Sequence, residues 1–383
     1  MSNLKINPGS RAHRLLLAVG AATAFSAGTM SARAEDGGAV YLLTDSAAAN
    51  AVVAYARAAD GTLNYTGTFP TGGLGGVTPG NPPPDPLGSQ NSLTLSSRFL
   101  LAVNAGSSDV SMFLVGDDGL KLVDREPSGG TFPVSVAVDN GLVYVLNAGN
   151  SSTLPDISGF TIDAGRKKLV PLPNSQRPLA GGSSASGAQV SFAAGGRVLV
   201  VTEKGDQMID TYRLDWNGYA SQPRSHRSSG ASPFGFAATH EGYVLVSEAG
   251  AGAASSYEID GRGDLGLISG SVSLAGQQAP CWLVATPDGR YAYTGNAGTG
   301  AISLLSVAWN GAMTLVNPTA SGTSLVAPVL DLAFTHDGRF LYIRDVGNAT
   351  VSGFKRESDG SLTLVGTAAI PAADLPAQGI AAR

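Results

Sequence analysis

The sequence predicts an all-β fold, a seven-bladed β-propeller of four-stranded antiparallel blades, on three observations. A short β-like run that closes on a polar residue recurs seven times. Alternating apolar segments are separated by tight turns of the Asp-Gly and Asn-Gly kind. Past the N-terminus, no stretch sustains a helical period. Units of about 50 residues with four strands each can bury their faces only against one another, and a ring of them leaves few exposed edges.

The first element lies outside the ring. Lys5, Arg11 and Arg14 precede the apolar run from Leu15 to Phe25, and Ala32-Arg33-Ala34 offers small residues for cleavage. This pattern predicts a signal peptide over residues 1–34, cut after Ala34, and a periplasmic or secreted protein. No later apolar run reaches the roughly 20 residues of a membrane helix, and no membrane anchor is expected. Residues 35–383 then form one propeller domain. They carry 20 basic against 29 acidic residues, a formal charge of −9. That balance excludes nucleic acid as a partner, since phosphate binding needs clustered positive charge. The single cysteine, Cys281, permits no internal disulfide.

Blade by blade, the recurring run ends at Asp45, Asn104, Asn147, Glu203, Glu248, Asn296 and Asp345. Each is read as the end of the second strand, b. In the sixth unit "CWLVAT" is strand a, "RYAYTGN" strand b, "AISLLSV" strand c and "MTLVNP" strand d. The first unit starts directly at a strand b, whereas the C-terminal "LPAQGIAAR" looks like a strand a, so the C-terminus is expected to complete the first blade. The alternating strand directions put the a–b and c–d turns on one face of the ring. The b–c loops and the connections between blades fall on the other, here called the mouth face. The irregular loops, including the long Thr71-to-Gln90 segment with prolines 82, 83, 84 and 86, gather on the mouth face. Long loops on a rigid scaffold tend to carry function, and this one is expected to act as a partial lid.

The candidate site is therefore the channel mouth. Strand alignment places Ser92, Ser135, Gln189, Gly235, Trp282, Asp331 and Gly379 at one inner level. Glu203 and Glu248 depart from the Asn and Asp of the other blades, and they are the candidate catalytic carboxylates. Gln189, Lys204, Asp331, Trp282 and Arg344 are the candidate substrate-binding groups, Lys204 following Glu203 and Arg344 preceding Asp345. No cofactor is expected, with Ca²⁺ as an alternative use of the same oxygens. The competing assignment makes each strand-b terminal residue a cap for the loop that follows. His240 and His336 belong to turns of the opposite face. His226 falls in the connection after blade four. None has the partners of a zinc site. The ligand expected at the mouth is a small lactone or sugar-like molecule, a protein partner being the alternative, and the chain is expected to be a monomer.

"PDGRYAYTGNAGTGAISLLSV" and "HDGRFLYIRDVGNATVSGFKRESDGSLTLVG" resemble repeats of the lactonase family of seven-bladed propellers, which includes the propeller-type 6-phosphogluconolactonases and the 3-carboxymuconate lactonising enzymes. "LVYVLNAGNSST" is similar to YVTN repeats. The resemblance covers almost the whole domain and implies hydrolysis of a small lactone at the mouth by a histidine, arginines and an acid. At the matching positions this chain keeps the acid as Glu248, after Ser247. It carries Gln189, Phe234 and Ala297 where the family's histidine and arginines stand.

Overall fold

In the computed structural model, residues 37–78, 85–322, 325–371 and 376–383 are described. The signal-peptide reading of residues 1–34 and the prolines at 82, 83 and 84 lie outside them.

Seven antiparallel sheets follow one another along the chain. Each is a simple meander, because neighbouring runs are joined by turns too short for any crossover. Blade one is ordered Gln378–Ala382, Gly38–Leu43, Ala51–Arg57, Leu63–Pro70, so the C-terminal strand supplies its strand a. Blades two to seven run a to d in sequence. Blade three adds the two residues Arg177–Pro178 beside its third strand. Among the described residues the one helical segment is a 3₁₀ turn at Gly182–Ser184.

Strand b ends where the recurring run predicted in blades two to seven, at Asn104, Asn147, Glu203, Glu248, Asn296 and Asp345. In blade one it stops at Leu43, and Asp45 leaves it with a φ of 53°. Strands a, b and c are the buried ones. Their Val, Leu, Ile and Tyr side chains fill the seams between blades, as a sheet buried on both faces requires. Aromatic edges close three seams: Tyr144 on Phe192, Phe234 on Trp282 and Tyr293 on Phe334, with centroids 5.3–6.3 Å apart. The d strands alternate outward and leave Tyr65, Val170 and Leu267 exposed at the rim.

A register shift interrupts strand a in blades one and three to seven, close to its mouth end. Such bulges turn one residue of a strand out of the alternation. In blade one the shift falls between the partners of Leu42 and Leu43. Gln378 is consequently the residue presented to the channel, one position before the Gly379 expected from the sequence.

Candidate functional site

The channel mouth is filled by the protein's own chain. The segment from Asp85 to Gln90, the end of the long loop, enters the ring and is bonded to blades on several sides. Gln90 donates from its amide nitrogen to the Leu283 carbonyl (2.9 Å) and accepts from the Leu283 N–H (3.0 Å), both in blade six. Its own N–H reaches the Ala188 carbonyl of blade four. Ser89 donates to the Val134 carbonyl of blade three (2.7 Å), and its carbonyl accepts from the Trp282 indole (2.9 Å) and from the Gln378 amide. Leu87 donates its N–H to the Gln378 side chain (3.1 Å). Leu87, Ser89 and Gln90 are buried. This segment is a plug through the mouth rather than the lid expected over it.

The plug accounts for two of the seven inner-level residues, Trp282 and Gly235. Trp282 and Gln378 hold it. Gly235 leaves room for it, since a Cβ there would run into the Gln90 side chain. Gln189 points into the seam instead. It bridges to Phe236 in both directions, accepting the N–H at 2.7 Å and donating to the carbonyl at 3.0 Å. Asp331 is buried and accepts the Leu332 N–H (2.9 Å), and burial lifts its carboxyl to about 8. Arg344 is buried and donates to the Asp345 carbonyl (2.7 Å). Loss of water pulls its guanidinium down to about 10.

The two carboxylates proposed for catalysis stand in adjacent blades and are both inaccessible to solvent. Glu248 accepts from the Gly230 N–H (2.6 Å) and from the hydroxyls of Ser228 (3.3 Å), Ser255 (2.5 Å) and Ser271 (2.7 Å). Four donors saturate a carboxylate and tie the end of strand b to strand c and to the incoming connection. Blades two, three and six do the same with Asn. Asn104 donates to Ser111 and Asn296 to Ser303, each at 2.8 Å, the serine lying two residues into strand c. Glu203 has Asp210 in that serine's place. Burial, then Asp210 and Asp206, push the Glu203 carboxyl up to about 10. It is thus protonated at neutral pH and shares a hydrogen bond with Asp210. Gly181 donates its N–H to the other Glu203 oxygen (3.1 Å). Both residues tie down the connection that arrives ahead of strand a, rather than the loop after strand b named in the competing assignment.

His226 lies within the outer strand Arg224–Arg227, bonded to the Gly263 carbonyl, and not in a connection. His240 and His336 are exposed in a–b turns. Cys281 is a free, partly buried thiol whose pKa burial raises to about 12. No group of three or more His, Cys, Asp or Glu suited to a metal occurs among the described residues.

One predicted residue does face open space. Lys204 lines a cleft of about 490 Å³ on the mouth face, between blades three and four and beside the plug. Phe132, Leu154, Pro155, Val77 and Leu87 make its apolar walls, and Asn150, Ser151, Thr153, Ser183 and Ser186 add polar groups. Lys204 donates to the Gly88 carbonyl (2.5 Å) and lies 5.1 Å over the Phe234 ring. Desolvation lowers its pKa, opposed by the nearby Asp85. Asp85 is itself lifted to about 6 by burial. Sequence reasoning missed the cleft because its wall is built from three loops far apart in the chain.

No family model and no curated protein matches the chain by sequence. Solved structures do match it in shape. One is a 6-phosphogluconolactonase candidate from Bacteroides uniformis, 16% identical, with 88% of this chain and 97% of that one covered at a TM-score of 0.66. A periplasmic gluconolactonase from Pseudomonas aeruginosa is 15% identical over 89% and 98%, with a TM-score of 0.65. Virginiamycin B lyase from Staphylococcus aureus is 12% identical over 75% and 86%, with a TM-score of 0.54. The chain therefore has the seven-bladed fold that lactonase-type propellers use. At such identities the likeness carries the fold and leaves the activity open, as the lyase on the same ring illustrates.

Proposed function

We propose that this protein is an exported, lactonase-like propeller that binds a small hydroxylated acid, of sugar-acid type, in the mouth-face cleft beside Lys204. The observation that carries the reading is the plug. The space over the channel, where a lactone would meet Glu203 or Glu248, holds Leu87, Ser89 and Gln90, and both carboxylates are sealed beneath loop backbone. The cleft, in contrast, is open, large enough for a monosaccharide-sized ligand, and mixes apolar wall with a few placed polar groups. An ammonium that has lost part of its hydration gains from an incoming carboxylate. The serine, threonine and asparagine side chains suit hydroxyl groups. Export rests on the leader read from the sequence, and the periplasmic location of the gluconolactonase of similar fold is compatible with it.

The test combines binding and turnover on the whole chain. Aldonic and uronic acids and their lactones are titrated by calorimetry, and lactone opening is followed by pH-stat. Binding of an acid that weakens at least tenfold in Lys204→Ala, with no turnover, is the expected result. Turnover of any lactone that is lost in Glu248→Gln or Glu203→Gln would restore the mouth as a hydrolytic centre. Absence of binding to every acid would remove the cleft from consideration.

A further inference from the structure

The opposite face carries a feature that the mouth site does not use. Of three tryptophans, Trp282 is buried, whereas Trp216 and Trp309 are 92% and 90% exposed. Indoles so bare are uncommon, because a tryptophan ordinarily buries most of its large apolar area. Both occur in the same setting. Each occupies the residue before Asn-Gly in a c–d turn, "DWNGY" in blade four and "AWNGA" in blade six. The corresponding residue is Ala59 in blade one, Gly261 in blade five and Ser358 in blade seven. The turn itself therefore does not require an indole.

The two turns are held rigid while their indoles project. Asp215 accepts the N–H groups of Asn217 and Tyr219, each at 2.9 Å, and the Tyr144 hydroxyl of blade three donates to the Gly218 carbonyl at 2.8 Å. In blade six Asn310 accepts the Ala312 N–H, and the Tyr243 hydroxyl of blade five donates to the Trp309 carbonyl at 2.9 Å. Fixed backbone spares the entropy of ordering a loop on binding. The whole of blade five separates the indoles along the ring. Its turns place the exposed side chains of His240, Glu241, Asp260 and Arg262 on this face between them.

We infer that this face binds a neutral polysaccharide chain, with Trp216 and Trp309 stacking on sugar rings at two separated points along it. An indole face matches the apolar C–H face of a pyranose, and the polar turns between the two tryptophans offer donors and acceptors to its hydroxyls. The separation calls for a polymer, since no single ring touches both indoles. The acidic balance of the domain disfavours a polyanion. A protein partner would need a contiguous apolar patch, and here the two indoles stand apart with polar residues between.

The experiment uses the full chain in affinity electrophoresis and pull-down with cellulose, chitin, curdlan and amylose, alongside zwitterionic phosphatidylcholine vesicles. Retention by at least one glycan is expected. It should fall at least tenfold in Trp216→Ala and in Trp309→Ala, because each breaks a two-point attachment. It should fall only a few-fold in Trp216→Phe and Trp309→Phe, which keep a stacking ring. Unchanged melting temperatures in the variants would exclude a folding defect, as expected for side chains this exposed. Binding to none of the four glycans, equal binding by the double alanine variant, or Trp-dependent binding to vesicles alone would overturn the inference.

Discussion

Burial raises the pKa of four carboxyls near the mouth. Glu203, Asp331 and Asp85 are lifted to about 10, 8 and 6, and Asp45, buried two residues past the first blade's strand b, is raised as well. Desolvation is the largest cause in each, neighbouring acids add to it at Glu203, Asp331 and Asp45, and Lys204 opposes it at Asp85. Their unfolded values lie near 4. The folded state therefore holds protons that the unfolded chain gives up. Their contribution to stability is complete below about pH 4 and is lost as pH rises through the folded values. The melting temperature should accordingly decline from pH 5 to pH 9. Glu203→Gln, which keeps a neutral side chain at every pH, should flatten that decline. Differential scanning fluorimetry across the range checks it, and an unchanged slope in Glu203→Gln would mean that this carboxyl is already ionised in the fold. The sequence singled out Glu203 and Glu248 correctly as departures from an Asn or Asp pattern. It could not show that Glu248 meets three serines and Glu203 a second acid, because those partners lie on another strand and on the connection between blades.

At the level of elements, one device repeats. In blades two, three, five and six the residue closing strand b bonds a serine of strand c. The connection arriving ahead of strand a comes close, and in blade three a Cβ at Gly130 would stand 2.6 Å from Asn147. At Gly230 it would strike the Glu248 carboxylate. The strand-b ends of blades two to seven, the tight turns and the C-terminal closure were legible, because alternation and Asp-Gly turns are local signals. The plug was not. "DPLGSQ" has no periodicity, and its place is set by hydrogen bonds to blades one, three, four and six, none of them local in sequence. Gln90 is the member that reaches furthest, pairing with both backbone groups of Leu283. Gln90→Ala removes two buried hydrogen bonds and strands both Leu283 groups, at a cost of about 2–3 kcal/mol. Hydrogen exchange should quicken over residues 85–91 and at Leu283, while the outer strands keep their protection. Exchange unchanged over 85–91 would show that the other plug contacts suffice to hold it.

For the whole molecule, the decisive join is the one between its ends. The strand Gln378–Ala382 pairs with Gly38–Leu43, setting Tyr41 opposite Ala381 and Leu42 opposite Ile380. Arg57 adds a bond to the Arg383 carbonyl (3.1 Å), and the Ala39 and Arg383 backbones exchange two more. Val40, Leu42, Tyr342 and Ile380 share one buried cluster across the seam between blades seven and one. No disulfide can replace this clasp, since the chain has one cysteine. Removing residues 378–383 would bare the long, apolar edge of Gly38–Leu43 and at the same time take away the Gln378 contacts to the plug. An open, hydrophobic strand edge pairs with other chains. The truncated protein is therefore expected to lose cooperative unfolding and to elute as aggregate in size-exclusion chromatography. Adding the peptide of residues 376–383 in excess should return part of it to the monomer fraction, by filling the vacant edge in the manner of an added strand. A truncated chain that stays monomeric with an unchanged melting temperature would show that inter-blade packing alone keeps the ring shut.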